Sequence, residues 1–399
     1  MGIRVQACCT LWFAACSLLR LGQAADPPSI VLSDVTAQSG IHFLHTDGSD
    51  GRHFLIESMS AGLALTDYDG DGDLDIYFLN GTTIAKPRLE PALTNALYRN
   101  EGGMRFREVT PLATVEDAGF GLGVAGGDFD NDGFPDIYLN NYGPNVLYHN
   151  NGDGTYSEIA AMAGVVNGHR VGAGASFFDM DADGDLDLYV GNYVKFDEKS
   201  HRVHLHKGVP SYPSPLGYDP EPDTLYRNEG DGTFRDVTEV SGIGTVAGRS
   251  MGLVTLDFDR DEDIDVFIAN DAQENFLFTN DGKGAFQETG FLSGVALDYS
   301  GRAQASMGVD VLDVDRDGWQ DLYVTSFSGE FATLYRNLGN GAFEDATIRS
   351  GGSAATFPVV KWGVVAADFD CNGTRDLLVA AGNLDDHIDQ RGGTSSDAA

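Results

Sequence analysis

Apolar residues along the chain fall in short, strand-length runs, each closed by a cluster of Gly, Asn and Asp. The segment LYHNNGDGTY from Leu147 has apolar and aromatic positions on both sides of an Asn/Gly turn, with Tyr156 six residues after Asn150. Two strands flanking such a turn predict a β-hairpin. The same spacing recurs in LYRNEGGMRF from Leu97, LYRNEGDGTF from Leu225, LFTNDGKGAF from Leu277 and LYRNLGNGAF from Leu334. There Phe106, Phe234, Phe286 and Phe343 hold the aromatic position. A short element such as REVT or RDVT follows each hairpin. Then come a Gly-rich link, another apolar strand, an acidic loop, and a strand such as DIYFLN or DLYVGN.

The acidic loop keeps phase with the hairpins. Its copies are DYDGDGDLD from Asp67, DFDNDGFPD from Asp128, DMDADGDLD from Asp179, DFDRDEDID from Asp257, DVDRDGWQD from Asp313 and DFDCNGTRD from Asp368. Successive copies start 61, 51, 78, 56 and 55 residues apart. Each unit therefore predicts about four antiparallel strands, and a period near fifty residues with four strands apiece marks a β-propeller. Six blades are counted. The segment LSDVTAQSGI at Leu32 resembles the tail of a hairpin unit, and the last unit ends after DLLVAAG at Asp376. An N-terminal strand is thus expected to complete the last blade and close the ring. One unit is irregular: from Asp179 to Asn228 is 49 residues, against 22 to 24 in the second, fourth and fifth copies. The insert, residues 195–223, is rich in Pro and His and reads as a surface loop, where propellers often carry specificity.

Composition agrees with an all-β chain of many tight turns: 51 Gly against 13 Pro, with 42% hydrophobic residues among 399, enough for a sizeable core. The net charge of -36, from 25 basic and 61 acidic residues, excludes nucleic-acid binding, which needs Lys and Arg to neutralise phosphates. Residues 1–24 read as a secretory signal, with Arg4, an apolar run from Val5 to Leu19, and small residues at Gly22 and Ala24. A lipoprotein signal ending at Cys16 is the second reading, weakened by Phe13. Either one implies export: secreted, periplasmic or at the cell surface. No other apolar stretch is long enough for a membrane helix. Cys8, Cys9 and Cys16 lie in the leader, so Cys371 alone is left and no intrachain disulfide is expected in the mature chain.

Four like charges within nine residues repel one another, and something must compensate for them. The spacing D-x-D-x-D-G-x-x-D is that of a calcium loop, with oxygen ligands at positions 1, 3 and 5 and a Gly at position 6 for the sharp turn. Here position 9 is acidic as well. The expected ligands are Asp67, Asp69, Asp71 and Asp75; Asp128, Asp130, Asp132 and Asp136; Asp179, Asp181, Asp183 and Asp187; Asp257, Asp259, Asp261 and Asp265; Asp313, Asp315, Asp317 and Asp321; and Asp368, Asp370, Asn372 and Asp376. The carbonyl of position 7 is expected to add one more. Six Ca²⁺ ions would bring the net charge from -36 to -24. Two copies are expected to be the weakest: Glu262 replaces the loop Gly in the fourth, and Asn372 replaces an Asp in the sixth.

Other motifs fail on context. Gly248 to Gly252 matches G-x-S-x-G, but it occupies the Gly-rich link and no helix follows. Gly121 to Gly126 matches G-x-G-x-x-G, but feeds a strand. His201, His204 and His206 are read as part of a solvated basic loop in preference to a transition-metal site.

The repeats resemble calcium-binding FG-GAP/VCBS propeller repeats, as in integrin α-subunit heads. The combination of DFDNDGFPDIYLNN, LYRNEGDGTFRDVT and WGVVAADFD is closer to the cartilage acidic protein-like (ASPIC/UnbV) bacterial family. That resemblance implies a propeller spanning residues 30–384, usually of seven blades, with Ca²⁺ in the Asp loops and an extracytoplasmic role in adhesion or recognition. It also implies a further repeat and a C-terminal domain. In this chain the residues after the last strand are a tail, 385–399, expected to be disordered. The sequence thus points to an exported calcium-binding propeller that recognises an extracellular protein or glycan. The rivals are a propeller-fold polysaccharide lyase or hydrolase, for which Tyr212, Tyr218 and His204 are the cluster to test, and a structural scaffold of a cell-surface assembly.

Overall fold

A computed structural model describes residues 30–84, 93–206, 208–351 and 356–384. The expected signal, 1–24, and the expected tail, 385–399, lie outside the described residues. Among the described residues no helix is long and apolar enough to cross a membrane.

The chain is a β-propeller built of antiparallel blades. Blade 1 comprises Leu63–Thr66, Asp75–Phe78, Ala96–Asn100 and Phe106–Glu108, paired in that order. Blade 2 comprises Phe120–Gly127, Asp136–Gly143, Val146–Asn150 and Tyr156–Glu158. Blade 3 comprises Arg170–Phe178, Asp187–Asn192, Thr224–Asn228 and Phe234–Asp236. Blade 4 comprises Ser250–Leu256, Asp265–Asn270, Phe276–Asn280 and Phe286–Glu288. Blade 5 comprises Ser306–Leu312, Asp321–Ser326, Thr333–Asn337 and Phe343–Asp345. Blade 6 has two strands among the described residues, Lys361–Ala367 and Asp376–Ala381. The innermost strands lie side by side in blade order. The pairs Tyr142–Val171 and Gly143–Arg170 join blades 2 and 3 into one sheet.

The core is a stack of layers between blades. Tyr77, Leu79 and Leu97 of blade 1 meet Ile137, Leu139 and Tyr148 of blade 2. Equivalent residues repeat the layer, as with Phe267 and Leu277 of blade 4 against Leu322 and Tyr335 of blade 5. The second strands of blades 3, 4 and 5 are buried at every position. Alternating patterns need only one buried face; these strands are covered on both, as the runs DLYVGN and DVFIAN already suggest. Glycines in the Gly-rich links let inner strands approach. A Cβ on Gly123 would stand 1.9 Å from the Ala173 carbonyl oxygen of blade 3.

Each REVT-type element ends in a one-turn helix, and these helices tie blade to blade. Gly242, which ends Thr238–Ser241 at φ 94°, lies against the outer strand of blade 4, where a Cβ would meet the Phe286 carbonyl oxygen at 2.3 Å. Thr114 Oγ1 donates to the Tyr156 carbonyl at 2.6 Å in the same role.

The N-terminal expectation is corrected here. Thr36–Ser39 is the same helical turn, and Gly40 lies against Phe106 of blade 1. The hairpin-tail reading of LSDVTAQSGI therefore holds locally, but no described N-terminal strand joins blade 6. Among the described residues blade 6 offers no third strand for it to pair with.

A feature the sequence motif carried without revealing its purpose is the Asn of LYxN. Asn280 Nδ2 donates to the Ile264 carbonyl of its own blade at 3.1 Å and to the Met180 carbonyl of blade 3 at 2.8 Å. Asn150, Asn228 and Asn337 make the same crossing to Tyr68, Phe129 and Phe258. Asn100 donates to Leu74 within its own blade. Replacing Asn280 with Ala strands buried carbonyls and is expected to cost about 3 kcal/mol. Asn100→Ala, on an exposed bond within one blade, is expected to cost about 1 kcal/mol. Urea unfolding of the two variants measures the difference, and equal losses would deny the Asn its inter-blade role.

The insert departs from a free surface loop. It forms a hairpin, His204–His206 with Val209–Ser211, and a 3₁₀ turn, Pro215–Gly217. It packs on the N-terminal segment: Phe54 contacts Phe196 and His201, and His201 Nε2 lies 2.8 Å from the Arg52 carbonyl. The reading of all three histidines as solvated is corrected for His201, which the Phe54 ring draws into a half-buried position.

Candidate metal loops and a central cavity

Each loop is shaped by its own carboxylates. In five of the loops the position-1 Asp accepts backbone N–H groups from positions 5 and 6, as when Asp183 and Gly184 donate to Asp179 at 3.2 and 3.0 Å; in the fourth only Glu262 donates to Asp257. Position 5 caps position 7, as when Phe134 N donates to Asp132 at 2.9 Å. In the first five loops the position-9 Asp is buried and joins the loop to the hairpin. Asp187 accepts from Met180 N and Asn228 N, both at 2.8 Å. Asp75, Asp136, Asp265 and Asp321 repeat that pair of bonds. Loss of solvent raises these carboxyls, Asp75 to about 6 and Asp136, Asp187 and Asp265 to about 7.

Position 6 takes positive φ as expected, and Glu262 is forced there too, at 73°. Position 4 is also left-handed, which the sequence did not announce: Asn131, Ala182, Arg260, Arg316 and Cys371 lie between 56° and 62°. Such residues cost about 1–2 kcal/mol each. Three of them span to the next loop. Asn131 donates to the Gly184 carbonyl, Arg260 to that of Gly318 and Arg316 to that of Gly373.

Position 3 has the fewest fixed partners. Asp69 Oδ1, Asp181 Oδ1 and Asp259 Oδ1 are buried oxygens without a hydrogen-bond partner, as is Asp257 Oδ1 at position 1. Desolvation first, and the neighbouring carboxylates second, raise the carboxyls of Asp69, Asp181 and Asp259. Single oxygens of Asp67, Asp69 and Asp71 lie within 4.8 Å of one another, as do those of Asp128, Asp130 and Asp132. The sets Asp179, Asp181, Asp187 and Asp257, Asp259, Asp265 meet the same limit. Orphaned, converging carboxylate oxygens fit a hard cation that takes six to eight oxygen ligands.

The residue before the LYxN Asn modulates this. Arg99 approaches Asp69 at 3.3 Å, His149 approaches Asp130 at 3.4 Å, and Arg336 pairs with Asp315 at 2.8 Å. The Arg336 hydrogen bond holds Asp315 below the usual carboxylate range. In the fourth loop this residue is Thr279, so Asp259 has no cation from that position. The recurring Arg or His in LYRN and LYHN was the available signal.

Of the cluster singled out for enzymic chemistry, His204 and Tyr212 line a cavity of about 610 Å³ where the inner strands converge, whereas Tyr218 packs on Phe196 outside it. Ser250 of the G-x-S-x-G match is 1% exposed, and its hydroxyl donates to Asp223 at 2.8 Å. That hydroxyl is a structural donor.

Comparison with known proteins places these features. The FG-GAP-like repeat family matches at residues 67–139, 128–190, 216–268, 257–324 and 313–379. Cartilage acidic protein 1 of Homo sapiens is 28% identical over 307 residues, covering 74% of this chain and 42% of its own length. The chain thus spans less than half the length of that relative. Among solved structures, an Agrocybe aegerita lectin, studied for specific recognition of non-reducing terminal N-acetylglucosamine, aligns at TM-score 0.46 and 17% identity, covering 82% of this chain and 77% of its own. A Bacillus licheniformis rhamnogalacturonan lyase aligns at TM-score 0.40 and 14% identity, covering 81% and 59%.

Proposed function

The chain belongs to the FG-GAP-like repeat family, and from that membership we propose that it is an exported calcium-binding propeller that recognises an extracellular protein or glycan. The observation that carries the metal half is the set of orphaned carboxylate oxygens at Asp69, Asp181, Asp257 and Asp259. The ions would be held by the position 1, 3, 5 and 9 side chains of the six loops, from Asp67 to Asp376. Calcium would supply positive charge that offsets their repulsion and cross-links each loop. The loops' own residues do the rest: position 1 fixes the turn, position 9 fixes the hairpin, and position 4 couples a loop to its neighbour. The ions are structural, and recognition falls to the surfaces that the loops and the insert 195–223 hold in place. The recognition half rests on family membership and on that insert, which forms a hairpin and packs on Phe54 of the N-terminal segment.

The test is binding of the purified protein to a glycan array and a panel of extracellular proteins, in calcium and after chelation. At least one saturable interaction is expected, weakened about tenfold or more without calcium because folding and binding are linked. Depolymerisation of a polysaccharide in the same assays would favour the lyase or hydrolase reading instead. Absence of any saturable partner would remove the recognition reading and leave the scaffold.

A further inference from the structure

The central cavity has a chemistry of its own. Three inner strands contribute the residue six places before the first loop Asp: Met251 of blade 4, Met307 of blade 5 and Trp362 of blade 6. Met59 of the N-terminal segment and Phe327 complete an apolar wall. Trp362 is fixed by its indole N–H, which donates to the Gly382 carbonyl at 3.0 Å. Ser211 to Pro215 of the insert line the cavity as well.

One acidic side chain faces this space. Asp271 is 6% exposed, and Tyr193 donates to its Oδ2 at 2.5 Å. That is its only side-chain hydrogen bond among the described residues, and no Lys or Arg lies within ion-pair distance of it there. Arg249, the nearest cation acting on it, is engaged by the Tyr218 carbonyl and Gln273 Oε1. Burial pushes the Asp271 carboxyl up to about 6, which leaves it ionised at neutral pH. A buried carboxylate with spare acceptor capacity is costly unless a donor meets it.

We propose that this cavity is a ligand site for a small organic ammonium compound, its apolar body against Met251, Met307 and Trp362 and its cationic head on Asp271. The volume lies within the range of small-molecule pockets, roughly 300–1,000 Å³. Methionines adapt to an irregular apolar body, and an indole face favours a nearby cation. The site is separate from the acidic loops and does not depend on the calcium reading.

Calorimetric titration of the purified protein with decylammonium, decanol and decanoate, each below its aggregation concentration, tests it. Decylammonium is expected to bind at one saturable site about tenfold or more tighter than decanol, the effect of one charge-assisted hydrogen bond, with decanoate weakest. Because an acidic protein attracts cations everywhere, two variants locate the effect. Asp271→Asn, which keeps the shape and the Tyr193 contact, is expected to remove the preference for ammonium over alcohol. Met251→Trp, which narrows the cavity at its apolar wall, is expected to weaken all three. A circular-dichroism melt shows whether each variant is folded. Equal binding of alcohol and ammonium, a preference that survives Asp271→Asn, binding unaffected by Met251→Trp, or no saturable site overturns the proposal.

Discussion

Exhaustive chelation is expected to lower the thermal midpoint of the protein by about 10 °C or more, with recovery on adding calcium and little on adding magnesium. A ligand that binds only the folded state stabilises it by about 2.7 kcal/mol per site at a hundredfold excess over Kd. For a chain of this size each kcal/mol moves the midpoint by roughly 1 °C, so four or more occupied loops suffice. Magnesium demands tight octahedral geometry and gives up water reluctantly, which loops of several carboxylates do not suit. The sign of the pH dependence makes the test sharper. Asp136, Asp187 and Asp265 have folded values raised to about 7. A raised carboxyl contributes stability that is fully present below its unfolded value and is lost as pH rises through the folded one. The chelated protein is therefore expected to melt higher at pH 5 than at pH 8. Calcium competes with protons for the same oxygens and reverses that order. A chelated protein with an unchanged midpoint at pH 8 would leave the acidic loops without their ions.

Much of this was legible in the sequence because it repeats. LYHNNGDGTY carries a hairpin in its own spacing, and six acidic loops in phase with five hairpins make a propeller hard to escape. The left-handed Gly at position 6 was legible for the same reason, since only Gly adopts that conformation at no cost. Position 4 was not: Ala182 and Cys371 are unremarkable residues, and their positive φ comes from the wrap of the loop around its first carboxylate. The crossing made by Asn280 was also hidden. Its acceptor, Met180, lies 100 residues away, and nothing local in LFTN states which blade it will meet. His201 misled for a related reason, because its partner Phe54 comes from a segment outside the repeat.

Two substitutions in one loop are expected to separate a carboxylate that the fold needs even without metal from one whose role begins with the ion. Asp187→Ala removes the acceptor of two buried N–H groups, those of Met180 and Asn228, and leaves both unsatisfied. At roughly 1–3 kcal/mol for each stranded group, a loss of about 4 kcal/mol is expected even in chelator, with a further loss in calcium because position 9 gives up a ligand as well. Asp181→Ala removes a carboxylate whose Oδ1 has no hydrogen-bond partner and whose charge is opposed by Asp183 and Asp179. Without calcium its removal relieves repulsion, so stability is expected to hold or rise slightly. With calcium the variant loses one ligand and a share of the binding energy that the wild type gains. Urea unfolding of both variants, in calcium and in chelator, gives four numbers and one decisive difference. If Asp181→Ala is as damaging in chelator as in calcium, position 3 is another structural carboxylate. If its cost appears only in calcium, the residue that the loop leaves without a hydrogen-bond partner is the one on which the ion acts.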